Sequence, residues 1–273
     1  FGTFVEEVLQ TATPKQRSVN AAATSAPKRI QDITYTDTSR LTTYCGELDR
    51  VLGGGIVPGS LLLLGGEPGI GKSTLLLQTA LAMKETRLLY VSGEESEQQI
   101  KMRADRIGGG GECYVVSETS TQRIFEHVEA VRPELLIVDS IQTIVSDEVD
   151  SPAGSVSQIR QCTSEFQHYA KTSGTPVLLI GHITKDGTLA GPKVMEHIVD
   201  AVLQFEGDRN YGFRVLRALK NRFGSTAEIG IFEMQGDGLR EVPNPSEFLL
   251  SQRDENLSGA AIAATLEGAR PMF

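Results

Sequence analysis

The 273-residue sequence has no apolar run approaching the ~18 residues of a membrane span, which excludes a helical transmembrane protein. It also lacks positive charge. Lys and Arg number 26 against 35 Asp and Glu, a formal net charge of −9, so any nucleic-acid site has to be a local basic patch rather than a bulk electrostatic effect. The three cysteines, Cys45, Cys113 and Cys162, are an odd number, far apart and without a CxxC pair. That excludes a disulfide framework and a cysteine zinc site within this chain, and it fits a reducing, cytoplasmic compartment. No charged start followed by an apolar h-region follows Phe1, so no signal peptide is read there, and the chain is expected to be a trimmed piece.

What is present is an ordinary globular composition, 40% hydrophobic and 22% charged, long enough for one large α/β domain or two small ones. Residues 11–29 are mostly Ala, Thr, Ser, Pro and Lys and bury too little to offset their ordering entropy, so 1–39 are expected to be a tail and linker. Residues 40–250 form the expected main α/β domain and 251–273 a C-terminal linker.

Apolar runs at 61–64, 88–91, 114–116, 135–138, 177–180 and 201–205 predict strands, several of them non-alternating as in strands buried on both faces. Helix-period stretches at 72–83, 97–107, 121–131 and 155–171 separate the first five of them. In the last of these Ile159, Cys162, Phe166 and Tyr169 share one face. Strand-helix alternation predicts right-handed crossovers and a mainly parallel sheet, which candidates at 213–219 and 229–232, with no helix between them, extend antiparallel.

Gly66, Glu67, Pro68, Gly69, Ile70, Gly71, Lys72 and Ser73 match GxxxxGK[ST] between a strand and a helix, with Thr74 next in the helix. Glycines there let backbone N–H groups close on the α/β-phosphates of ATP or ADP. Lys72 is expected to meet the β/γ-phosphates and Ser73 to ligate Mg²⁺. Asp139, ending the run 135–138, suits a Walker B carboxylate that holds Mg²⁺ through water. Glu94 and Glu95 follow a strand read as a neighbour of the P-loop strand; Glu94 is favoured as the base that activates water, a solvated turn being the alternative. His182, at the end of 177–180, suits a γ-phosphate sensor or a strand-end cap. Loop 184–193 carries glycines with Lys185 and Lys193 at its ends, which suits phosphate contacts to DNA or a plain surface loop. His127, His168 and His197 are expected in helices without a site role.

Residues 47–60 (ELDRVLGGGIVPGS), leading into the P-loop, resemble the RecA-like ATPases, and Lys220-Asn221-Arg222-Phe223-Gly224 resembles the KNRFG segment of the bacterial RadA/Sms family. The resemblance covers about residues 40–234. It implies a RecA-like P-loop fold and a DNA-dependent ATPase, assembled as a hexameric ring, that moves branches in single-stranded and branched recombination intermediates beside the RecA recombinase. It also implies that loops 146–157 and 184–193 face DNA. Alternation puts Lys220 and Arg222 on one face and Asn221 on the other, after a strand expected near the sheet edge far from the P-loop. The resemblance makes Arg222 an arginine finger for a neighbouring subunit, with Lys220 beside it; basic residues guarding an edge strand are the alternative. The family's four-cysteine zinc finger and Lon-protease-like domain are expected to lie outside this chain, since residues 2–7 and 258–271 resemble the adjoining segments. A KaiC-like signalling ATPase or autokinase is the competing function.

Overall fold

A computed structural model describes residues 29–32, 40–182, 192–207 and 212–244, with the backbone alone at 192–193, 265–267 and 270–272. Two compact units result, Phe1–Asp37 and Thr38–Phe273. In the first, Ile30–Asp32 form a 3-10 turn.

The second unit is an α/β fold around a nine-stranded, mostly parallel sheet, as the strand-helix alternation predicts. Its parallel strands are β1 (Leu61–Gly66), β2 (Leu88–Ser92), β3 (Cys113–Ser117), β4 (Leu135–Asp139), β5 (Val177–His182) and β6 (Ala201–Gly207). Antiparallel strands β7 (Phe213–Asn221), β8 (Ile229–Gln235) and β9 (Gly238–Glu241) extend it. The order is β3-β2-β4-β5-β1-β6-β7-β8-β9, with a separate antiparallel pair, β10 (Thr265–Glu267) and β11 (Arg270–Met272). Helices are α1 (Gly46–Leu52), α2 (Lys72–Ala82), α3 (Glu97–Ile107), α4 (Thr121–Val131), α5 (Val156–Ser173) and the short α6 (Pro192–Met195).

Non-alternating apolar runs become strands covered on both faces: β1, β2 and β4 are buried at every position. On one face Leu62, Leu64, Tyr90 and Ile137 pack with α1 and α2; on the other Leu61, Leu63, Val91 and Val138 pack with α4 and α5. Each leucine so buried contributes roughly 1.5–3 kcal/mol. In α5, Ile159, Cys162 and Phe166 are buried and Tyr169 partly so, as their spacing predicts. Helix starts follow local chemistry. Ser96 opens α3 with a capping box to Gln99, and Ser155 caps α5 through the Gln158 amide.

Three expectations are corrected. β2 is not a neighbour of β1, because β5 and β4 pair between them. β7 is not at the edge but two strands from β1, since β8 and β9 continue the sheet. His197 lies in the turn after α6 rather than in a helix. Helix α1 and strand β9 were not foreseen: α1 has seven residues and β9 four, too short for a periodic signal.

Candidate phosphate site

Four neighbouring strands, β2, β4, β5 and β1, deliver the site from their C-terminal ends. They supply Glu94, Asp139, His182 and the loop after Gly66, which line a cavity of about 390 Å³ together with Lys72, Ser73, Glu95 and Arg103. Crevices at the carboxyl ends of parallel strands are where α/β sheets bind ligands. Gly71 enters α2 at φ 115°, a backbone conformation that side chains rarely adopt and that favours glycine.

Lys72 is 4% exposed and its Nζ donates to the carbonyls of Gly66 (2.8 Å) and Glu67 (2.9 Å) and to His182 Nδ1 (3.2 Å). Burial lowers its pKa to about 8, against the opposing pull of Asp139 and Glu94. A protonated lysine has no acceptor, so Nδ1 of His182 accepts, and Nε2 donates to Glu94 Oε1 at 3.2 Å. The same carboxylate oxygen accepts from Ser140 Oγ at 2.6 Å. Burial pushes the Glu94 carboxyl up, but Ser140, His182 and Lys72 outweigh it and hold it below its ordinary value. The chain Lys72–His182–Glu94–Ser140 thus ties the P-loop to the base candidate across the ends of four strands.

Asp139 is 5% exposed, and Tyr90 OH donates to its Oδ2 at 2.7 Å. The remaining carboxylate capacity of Asp139 and the Ser73 hydroxyl line the same cavity. This donor set fits Mg²⁺, which takes few protein oxygens and completes its shell with water and phosphate. Among the described residues no group of three or more His, Cys, Asp or Glu forms a dedicated metal cage. Glu95 faces away from Glu94 and pairs with Arg103.

Lys220 and Arg222 lie elsewhere. Register places Gly66 level with Phe205, Leu62 with Ala201, and Ala201 with Asn221, so the pair sits at the opposite end of the sheet from the P-loop. Four residues of β-rise separate the two levels, about 13 Å. Lys220 Nζ donates to the carbonyls of Glu196 (2.5 Å) and Val199 (2.7 Å), and Arg222 Nη1 meets Asp200 Oδ1 at 3.3 Å. Asn221 Nδ2 turns the other way, to the carbonyls of Val51 (3.2 Å) and Leu52 (3.4 Å), so the expected alternation is present. Arg40 joins the segment by donating to the carbonyls of Leu52 (3.1 Å) and Phe223 (2.7 Å). Burial first, then Arg222, lowers the Lys220 pKa.

Lys185 lies outside the described residues, as does the Lys193 side chain. Loop 146–157 is organised by Gln158, whose Nε2 donates to the carbonyls of Ser146, Val149 and Ser151, and it carries Asp147, Glu148 and Asp150 without a Lys or Arg. That charge opposes DNA phosphates.

Sequence reasoning missed Tyr90, Ser140 and Arg103. Tyr90 stands between the aliphatic Leu89 and Val91 of a buried strand, and Arg103 falls on the inward stripe of α3 with Ile100 and Ile107. A polar group in an apolar pattern was the signal available for both.

A family model described as "AAA domain" matches residues 26–188. Curated proteins described as "DNA repair protein RadA" are 51% identical over 276 residues in Streptococcus pyogenes serotype M6, 50% over 271 in Streptococcus pneumoniae and 48% over 279 in Bacillus subtilis. These alignments cover 100%, 98% and 100% of this chain and 61%, 64% and 61% of the relatives, so the chain spans under two thirds of their length. Among solved structures, the RadB recombinase superimposes with TM-score 0.55 at 21% identity, covering 74% of this chain and 99% of that one. A KaiC-like protein from Pyrococcus horikoshii OT3 gives 0.60 at 20%, covering 75% and 99%. Both are likenesses of fold.

Proposed function

Because the chain belongs to the AAA domain family and matches DNA repair proteins named RadA along its length, we propose that it is the ATPase core of a DNA-dependent motor acting on recombination intermediates. The observation that carries the reading is that one cavity gathers Lys72 and Ser73 at the start of α2, Glu94 after β2 and Asp139 at the end of β4.

Lys72 exchanges the Gly66 and Glu67 carbonyls for β/γ-phosphate oxygens when ATP enters. Ser73 and Asp139 would hold Mg²⁺, which would supply neutralisation of phosphate charge when bound. Glu94 accepts a proton from the attacking water as its oxygen bonds to the γ-phosphorus and the bond to the ADP oxygen breaks, releasing phosphate. His182, bonded to both Lys72 and Glu94, reports whether Lys72 is on phosphate.

Lys220 and Arg222, at the far end of their own sheet, serve the nucleotide of the next subunit in a ring, with Arg222 as the finger. The strand register supports this reading, since their own chain's phosphate site is about 13 Å further along the sheet. DNA is met by loop 184–193 through Lys185 and Lys193, and the acidic charge of loop 146–157 favours that loop over it. The RecA recombinase and a hexameric ring are the partners the reading implies.

The test is ATP turnover by the full-length protein with and without single-stranded DNA. Stimulation by DNA is expected. DNA-independent turnover with phosphate transferred to the protein itself would favour the KaiC-like autokinase reading instead.

A further inference from the structure

Two adjacent glutamates line the phosphate cavity, and the chain treats them differently. Ser92 Oγ accepts from the amides of both Glu94 (3.4 Å) and Glu95 (2.9 Å), a tight turn from which the two side chains diverge. Glu94 meets Ser140 and His182, whereas Glu95 Oε1 is taken by Arg103 Nη2. The capping box at Ser96 sets where α3 begins and so which residues face inward. Ile100, Ala104 and Ile107 on that side join the apolar core, and Arg103 is the charged residue among them.

The Arg103 side chain is 19% exposed, and its Nη1 is buried without a hydrogen-bond partner among the described residues. A buried donor left unsatisfied is penalised, so packing does not account for a guanidinium at this position. What it does engage is Glu95. Were Glu95 uncompensated there, a second carboxylate charge would face the triphosphate and repel it.

We propose that Arg103 is a positioning residue of the phosphate site, which draws Glu95 off the phosphates and cancels its charge so that the site presents Glu94 alone as base. The inference rests on the reading of this cavity as an ATP-hydrolysing site, and the experiment separates the two.

Steady-state hydrolysis by the full-length protein is measured against Mg·ATP concentration for wild type, R103Q, R103K, E95Q and R103Q/E95Q, with K72A as control and melting without nucleotide as the check of folding. R103Q is expected to raise KM about tenfold with kcat changed less than about threefold, and R103K to keep most of the affinity. E95Q alone should move KM less than about threefold, because its charge is already cancelled. R103Q/E95Q should return KM toward wild type, a rescue that a purely structural arginine does not predict. Wild-type KM in folded R103Q, or a double variant as impaired as R103Q, overturns the assignment. If R103Q does not fold, E95Q still decides: a larger shift in KM, or ATP bound but not hydrolysed, overturns it. Turnover retained in K72A instead overturns the reading of the cavity itself.

Discussion

The two ends of the sheet both gather cations around a buried aspartate, yet they are built for opposite purposes. At the C-terminal end of β1, Lys72 is buried on backbone carbonyls beside an open cavity, and Asp139 is bonded to a tyrosine hydroxyl rather than to a cation. Its lysine is held by backbone carbonyls and an imidazole, partners that the proposed function has it exchange for phosphate. At the N-terminal end, Asp200 is 3% exposed and fully engaged: Oδ2 accepts from Lys171 Nζ (2.6 Å) and the Leu61 amide (3.0 Å), and Oδ1 meets Arg222. Arg222 is nonetheless 55% exposed and held by one 3.3 Å contact. One end opens on a cavity, and the other leaves Arg222 half exposed beside Asp200. The proposed ring would bring one end to the other.

The comparison is broken most directly at Arg222. Arg222→Ala is expected to lower hydrolysis about 10³–10⁵-fold with nucleotide binding retained, as loss of an arginine finger does. Mixing Arg222→Ala chains with Lys72→Ala chains, each nearly inactive, should partly restore turnover if the ends meet between subunits. No recovery in mixed rings that demonstrably form sinks the assignment.

Within the phosphate end, Glu94→Gln should slow hydrolysis about 10²–10⁴-fold while ATP stays bound. Single-turnover hydrolysis and nucleotide retention on a filter separate the two effects. Undiminished turnover removes Glu94 as base.

The desolvation of Lys72 sharpens the contrast through pH. Its pKa, lowered to about 8, means that ammonium charge is lost as pH rises through that value, whereas bound phosphates favour the charged form. ATP affinity should therefore fall, by about tenfold between roughly pH 7 and pH 9, and binding should take up protons. For folding the sign is reversed. The unfolded lysine binds the proton more tightly, so without nucleotide the cost of burying the charge is present below about 8 and is relieved between there and the ordinary value of 10.5. Nucleotide titrations and melting across that window check both slopes; a flat affinity profile contradicts the role of Lys72.

The smallest effect is expected at the closed end. Asp200→Asn keeps an acceptor for the Leu61 amide but loses the charge facing Lys171 and Arg222, both about half exposed and therefore screened. A loss of about 1–2 kcal/mol in thermal or urea melting is expected. A loss above about 4 kcal/mol would mean that the cluster is a folding element first.

Much of the phosphate end was legible in the sequence because its parts are local. A strand, a glycine loop and a helix start lie within residues 61–73, and their chemistry is set by spacing along the chain. Asp139 and His182 were readable as carboxylate and imidazole closing apolar runs. The ion pair of Glu95 with Arg103 was less so, because it depends on the rotation of α3, which a capping serine and one buried isoleucine decide together.

The sequence by itself determined the α/β alternation, the buried strands and the sharing of a face by Lys220 and Arg222, which follow from periods of two and 3.6 residues, and the P-loop, which follows from the spacing of its motif. Tertiary structure alone decided that β5 and β4 stand between β1 and β2, that Tyr90 reaches Asp139, and that Lys220 and Arg222 sit at the opposite end from their own P-loop. Those facts depend on which strands pair, and in what direction and register. Such choices are made between segments dozens of residues apart by the burial of whole faces, and no local pattern carries them.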